Sequence, residues 1–172
     1  PMLPLDADLY QGAPFEGYYA DRWEFARALE LIGERRRIFE AGCGDGRFHA
    51  LALRRGKDVT GVDLNASAIE AAQKRCGAGK FYPWTVGRYR AAFPGERFDV
   101  FCAFHLIEHL ADPLAFARQA AGMLADDGLI VLAVPNPHRQ ALHYCGRESW
   151  DRPPHHLSWW DGASIGRDRK ST

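Results

Sequence analysis

Glu40-Ala41-Gly42-Cys43-Gly44-Asp45-Gly46 is the stretch on which the reading of this chain turns. Ile38-Phe39-Glu40-Ala41 is a short apolar run, read as a buried strand, and it feeds directly into three glycines at alternate positions. A helix is predicted next, over residues 47–55, with Phe48, Leu51 and Ala52 on one side and Gly56 as its stop. Such a strand–turn–helix places a backbone without Cβ atoms, and the free N–H groups of a helix start, at the carboxyl end of a strand. That is where open α/β sheets bind ligands. The following strand, residues 58–64 with Val59-Thr60-Gly61-Val62 as its core, brings Asp63 to the same end. A carboxylate there can accept hydrogen bonds from both ribose hydroxyls of an adenosine. The nicotinamide fingerprint G-x-G-x-x-G is not met, because the third glycine comes one position early and Arg47 stands where it would be. A glycine-rich turn alone is also an ordinary tight connection. Asp63 is what makes it a candidate site.

Working outward, residues 20–32 read as a helix with Trp23, Phe25, Ala26, Leu29 and Ile32 as its apolar stripe, ended by Gly33. Asn65 or Ser67 can cap a helix that ends at Gly77, and Glu70 stands three residues after Ser67 as a capping box requires. Strands follow at 80–84 and 98–104. Asp112-Pro113 opens a further helix, an N-cap followed by a proline at the first helical position. Leu114, Ala117, Ala121 and Leu124 are assigned to its inner face, and Asp126-Asp127-Gly128 turns the chain into a strand over 129–134. This alternation predicts an α/β fold: a Rossmann-like, doubly wound, mostly parallel sheet in three α/β/α layers. Residues 1–19 read as an irregular N-terminal segment, 20–160 as one domain and 161–172 as a polar tail.

Lys plus Arg and Asp plus Glu are balanced at 22 each, so the chain has no broad pull on nucleic acid or anionic membrane, and neither is expected as a partner. No apolar run is long enough to span a bilayer. Cys43, Cys76, Cys102 and Cys145 form no CxxC pair, and reduced thiols in a cytoplasmic protein are the expectation.

The loop, with its leading acid Glu40 and with Cys43, resembles motif I of the class I S-adenosylmethionine-dependent methyltransferases, usually close to E/D-x-G-C-G-x-G. The stretch from Phe98-Asp99-Val100 through Glu108-His109-Leu110-Ala111-Asp112-Pro113 is similar to the fourth-strand region of ubiquinone-biosynthesis type O-methyltransferases and of the type 11, 12 and 23 methyltransferase domains. That resemblance implies S-adenosylmethionine as cofactor and methyl transfer to a small-molecule acceptor. It implies a cofactor site made by Glu40, Gly42, Cys43, Gly44, Gly46, Asp63 and Leu64, with Phe104 and His105 flanking the sulfonium or adenine. Arg22, in Tyr18-Tyr19-Ala20-Asp21-Arg22, is a candidate partner for the cofactor carboxylate. For an oxygen or nitrogen acceptor that needs a base, His105 and His109 are the first candidates, then His155 or His156. Pro153-Pro154-His155-His156-Leu157 and Trp159-Trp160 resemble a segment of a broad methyltransferase group, which implies histidines and tryptophans able to shape a substrate pocket.

Three observations pull elsewhere. His105-Leu106-Ile107-Glu108-His109 matches the H-x-x-E-H zinc motif, which needs both histidines on one helix face; here the motif leaves a strand and is soon closed by Asp112-Pro113, so no metal is expected. After the third strand no acid stands near Trp84-Thr85-Val86-Gly87-Arg88 to bind an adenine amino group. Residues 161–172 are too short and polar for the two further strands of the family, so those strands are expected to be missing. The uncovered sheet edge then predicts a homodimer or marginal stability. The alternatives are a non-catalytic cofactor-binding module and, against Arg47, an NAD-dependent oxidoreductase.

Overall fold

The computed structural model describes residues 22–77, 79–136, 156–158 and 160. Five strands form one parallel sheet in the order β3-β2-β1-β4-β5: β1 Arg37–Ala41, β2 Asp58–Val62, β3 Lys80–Tyr82, β4 Phe98–Phe104 and β5 Leu124–Ala133. The helices are α1 Trp23–Ile32, α2 Arg47–Arg54, α3 Ala66–Cys76, α4 Val86–Ala92 and α5 Pro113–Ala121. The expected Rossmann-like α/β fold is therefore present. Strand order reverses beside β1, between β2 and β4, which makes the carboxyl ends of these strands the natural crevice.

Residues alternate between two cores, as the period of a strand demands. Ile38, Val100, Cys102 and Phe104 pack with Phe25, Leu29, Ile32 and Phe48 of α1 and α2. Phe39, Phe101 and Ala103 pack with Val86 and Tyr89 of α4 and Phe116 and Ala120 of α5. Each fully buried ring or branched side chain here contributes about 1.5–3 kcal/mol. A sheet covered on both faces explains why β1 and β4 read as continuous apolar runs.

Several predicted details are corrected. In α1 the inward stripe is Phe25, Ala28, Leu29 and Ile32, whereas Trp23 is 76% exposed and Ala26 faces solvent. In α5, Phe116 and Ala120 face the core and Leu114, Ala117 and Ala121 do not. Leu124 belongs to β5, and the Asp126-Asp127-Gly128 turn lies within that strand's span, where the register jumps from Phe98↔Leu124 to Val100↔Leu129. The helix α4 follows Thr85, whose hydroxyl accepts the Arg88 N–H at 3.0 Å. At seven residues it is too short to show a helical period in the sequence.

The cap of α3 is resolved in favour of Asn65, whose side-chain oxygen accepts the Ala68 N–H at 3.2 Å, while Ser67 sits exposed inside the helix. Asn65→Ala is therefore expected to lower unfolding free energy by about 1 kcal/mol in urea titration, and Ser67→Ala by no more than a few tenths.

Candidate cofactor site

The glycine loop is held down from below. Gly42 and Cys43 both donate their N–H to the Val62 carbonyl, at 2.8 and 3.1 Å, so the loop begins where β1 leaves its pairing with β2. Gly42, Gly44 and Gly46 all have positive φ. Gly46 is the most constrained: φ is 78°, and a Cβ there would stand 2.9 Å from the Ala72 Cβ of α3. Any side chain would combine a left-handed backbone with a clash. Gly61 in β2 is needed for a related reason, since its Cβ would meet His49 and Cys43 at 2.8 and 2.9 Å.

Asp63 lies just past the end of β2 and faces this loop. Its Oδ2 accepts the Gly44 N–H and its Oδ1 accepts the Asn65 N–H, both at 2.9 Å. Burial pushes its pKa up, and the amides of Asn65, Gly44 and Leu64 oppose that shift. Asp63 thus ties the loop of β1 to the end of β2. A carboxylate has about four acceptor sites, so these amides leave Asp63 acceptor capacity for a ribose hydroxyl. Leu64, next to it, is 42% exposed.

Glu40 has a different surrounding from that of an open ligand contact. It is 3% exposed, and its Oε2 stands 2.8 Å from Nδ1 of the fully buried His49 on α2. Burial raises the Glu40 pKa and the His49 hydrogen bond works against it. The pair lies beneath the loop, with His49 also against Phe81. Cys43 is buried as well, and desolvation raises its thiol pKa well above the ordinary range. Arg75 of α3 clamps the loop from outside, donating to the Asp45 carbonyl at 2.9 Å and its carboxylate at 2.7 Å. Arg47, in the place of the third nicotinamide-type glycine, donates to the same carboxylate. His49 and Arg75 were not legible as site residues, because each acts only through the packing of a helix against the loop.

At the end of β4, Phe104 has its ring 4.9 Å from that of Phe25 and 4.8 Å from that of Phe48, so it serves the core. His105 follows with φ 53°, the one non-glycine positive φ among the described residues. Its Nε2 is 3.2 Å from Glu24 Oε1 on α1, and its Nδ1 is 3.6 Å from Glu108 Oε1. Leu106 reaches back to the loop, 3.4 Å from where a Cβ on Gly42 would stand. Ile107–His109 is a single 3-10 turn, so the long helix that an H-x-x-E-H zinc motif needs is absent, as expected. His109 is buried, with its ring 4.9 Å from that of His156. Arg22 directly precedes α1 and is half-buried. His155, Trp159 and residues 18–21 lie outside the described residues.

These residues fit an adenosine-bearing cofactor: a close-approach glycine backbone, a carboxylate with free acceptor sites, and a switch point between strands. Residues 16–170 match a family described as a methyltransferase domain. The chain belongs to that family. The chain is 34% identical over 149 residues to the ubiquinone biosynthesis O-methyltransferase of Cereibacter sphaeroides, covering 84% of this chain and 53% of that protein. It is 35% identical over 114 residues to the enzyme of the same name from Parvibaculum lavamentivorans, covering 64% and 44%. The chain thus spans about half the length of these curated relatives. Among solved structures, a SAM-dependent methyltransferase from Archaeoglobus fulgidus matches with TM-score 0.70 at 21% identity, over 85% of this chain and 64% of that one. The plantazolicin methyltransferase in complex with SAH matches with TM-score 0.58 at 19% identity, over 70% and 46%. Both likenesses concern the fold.

In this methyltransferase domain, the Glu40–His49 pair carries the floor of the loop. His49→Ala leaves a carboxyl group buried without its partner and is expected to cost about 3 kcal/mol or more in chemical denaturation. Glu40→Gln combined with His49→Ala should cost less than the sum of the two single changes, the mark of direct coupling.

Proposed function

We propose that this domain transfers the methyl group of S-adenosylmethionine to an oxygen or nitrogen of a small-molecule acceptor. The observation that carries the reading is the Asp63 carboxylate, fixed between the Gly44 and Asn65 amides and facing the glycine loop. In this reading Asp63 receives the ribose hydroxyls, Gly42, Gly44 and Gly46 give room for the cofactor's amino acid end, and Leu64 covers one side. Arg22 pairs with its carboxylate. Glu40 and Cys43 support the loop from beneath, and Phe104 backs the site through the core, with His105 at its rim. The cofactor supplies a methyl group already activated on a sulfonium. The protein's part is to hold donor and acceptor in line and to exclude water.

His105 is the base we assign. Its strained backbone turns the imidazole to where α1 and the 3-10 turn meet, and the carboxylates of Glu24 and Glu108 flank it. One ring nitrogen can hold a proton toward a carboxylate while the other takes a proton from an acceptor hydroxyl or amine. Glu24 is a positioning residue in this arrangement.

Two finer points belong to the same reading. Among the described residues β5 stands at the edge of the sheet, which supports pairing of two copies into a homodimer. Cys43, Cys76 and Cys102 are free thiols, which supports a cytoplasmic, reducing setting. No helix among the described residues is long and apolar enough to cross a membrane.

Calorimetry with S-adenosylhomocysteine is expected to show binding that Asp63→Ala weakens about 10- to 100-fold, the worth of one or two charge-assisted hydrogen bonds. Binding of NAD in its place would sink the proposal. With labelled S-adenosylmethionine and a panel of phenols and amines, His105→Ala should slow methyl transfer about 100-fold or more. Binding of S-adenosylhomocysteine without transfer to any acceptor would favour a non-catalytic module.

A further inference from the structure

Beside the cofactor site stands a second cluster, of which the reading above uses only Glu108, as a flank of His105. Glu108 is 2% exposed, and neither of its carboxylate oxygens has a hydrogen-bond partner. His105 Nδ1, at 3.6 Å from Glu108 Oε1, lies beyond hydrogen-bond range. A buried carboxylate left in that state is costly unless something positive meets it. Two imidazoles stand next to it. His109 and His156 are both buried, and one ligand-capable atom from each of Glu108, His109 and His156 lies within 4.8 Å of the others.

The chain brings these three together deliberately. The Glu108 carbonyl accepts the N–H groups of both Leu157 and Ser158, at 2.7 and 3.2 Å, so the segment carrying His156 is docked onto the 3-10 turn by its backbone. Trp160 braces that segment by donating its Nε1–H to Ser158 Oγ at 2.7 Å. A narrow recess bordered by Glu108, Asn136 and His156 opens beside the cluster.

We propose that Glu108, His109 and His156 bind one divalent first-row transition-metal ion. Two imidazole nitrogens and one carboxylate oxygen suit zinc and its neighbours, whereas magnesium prefers oxygen ligands. Three protein ligands leave a coordination position open. Ligand atoms about 2.1 Å from a tetrahedral ion stand about 3.4 Å apart, so the set closes by side-chain movements of about an ångström. The open position takes an oxygen donor. Its place beside His105 makes an acceptor's hydroxyl oxygen the matching ligand, and this last assignment rests on the methyl-transfer reading. The metal site itself does not.

The sequence argues against a different site, an H-x-x-E-H zinc centre with His105 and His109 as ligands, because that needs both histidines on one helix face and the turn does not supply it. The third ligand instead comes from a distant segment, His156, while His105 points to Glu24.

The test uses the full, tag-free chain, stripped with a chelator and titrated with zinc chloride by calorimetry, with magnesium chloride alongside. One equivalent of zinc is expected, undisturbed by magnesium. Cobalt in its place should give visible absorption bands of low-symmetry coordination. His109→Ala and His156→Ala should each weaken zinc binding at least about 100-fold, and Glu108→Gln should weaken it as well. Each variant should still bind S-adenosylhomocysteine, which shows that it is folded. No stoichiometric zinc on the unaltered chain, or zinc binding that His109→Ala and His156→Ala leave unchanged, overturns the proposal. S-adenosylhomocysteine binding without zinc removes the metal site alone; zinc binding without S-adenosylhomocysteine removes the cofactor reading alone.

Discussion

The close seating of the glycine loop on β2 and α3 is the constraint from which the rest of this structure follows. Gly61 gives up its side chain so that Cys43 and His49 can lie over the strand, and Gly46 gives up its own so that α3 can approach through Ala72. The Val62 carbonyl and the Asp63 carboxylate then fasten the loop by its amides. Every one of these contacts joins a short-range sequence feature to a neighbour in another element. The loop is rigid because its surroundings leave no space for another arrangement.

Electrostatics divides the site into a floor and a mouth. In the floor, Glu40 and His49 are both withdrawn from water and depend on each other. A buried ion-capable pair of this kind depends on the hydrogen bond between its members. At the mouth, His105 stands between the carboxylates of Glu24 and Glu108, partly open to solvent, on a backbone that few non-glycine residues adopt. Strain of this kind, of the order of 1–3 kcal/mol, persists where surrounding packing fixes it, and such positions cluster at functional sites. The β4 register with β5 supplies that packing, since His105 donates its N–H to the Ala133 carbonyl at 2.8 Å.

The fold was legible where a local rule coincides with the tertiary outcome. Asp112 and Pro113 start α5 as their chemistry dictates, with the Asp112 carboxylate accepting the Ala115 N–H at 2.8 Å. β4 spans the residues expected, because a strand buried on both faces is apolar along nearly all its length, Asp99 near its start excepted. The faces of α1 and α5 were harder. Trp23 and Leu114 are apolar yet exposed, and apolar residues on the solvent side pull an inferred stripe away from the face that is buried. The short helix α4 falls below the length at which periodicity is informative.

The sequence by itself determined the parallel α/β fold, the glycine loop and the position of Asp63, since each rests on residue types whose backbone or charge preference is intrinsic. Only the tertiary structure decided what the polar residues around that loop do. Glu40 is buried against His49, and Cys43 is buried within the loop. His105 is turned toward Glu24, and His109 toward a histidine far along the chain. Those outcomes depend on which side chains meet across elements. Sequence spacing carries no information about such meetings until the sheet and its helices have brought the elements together.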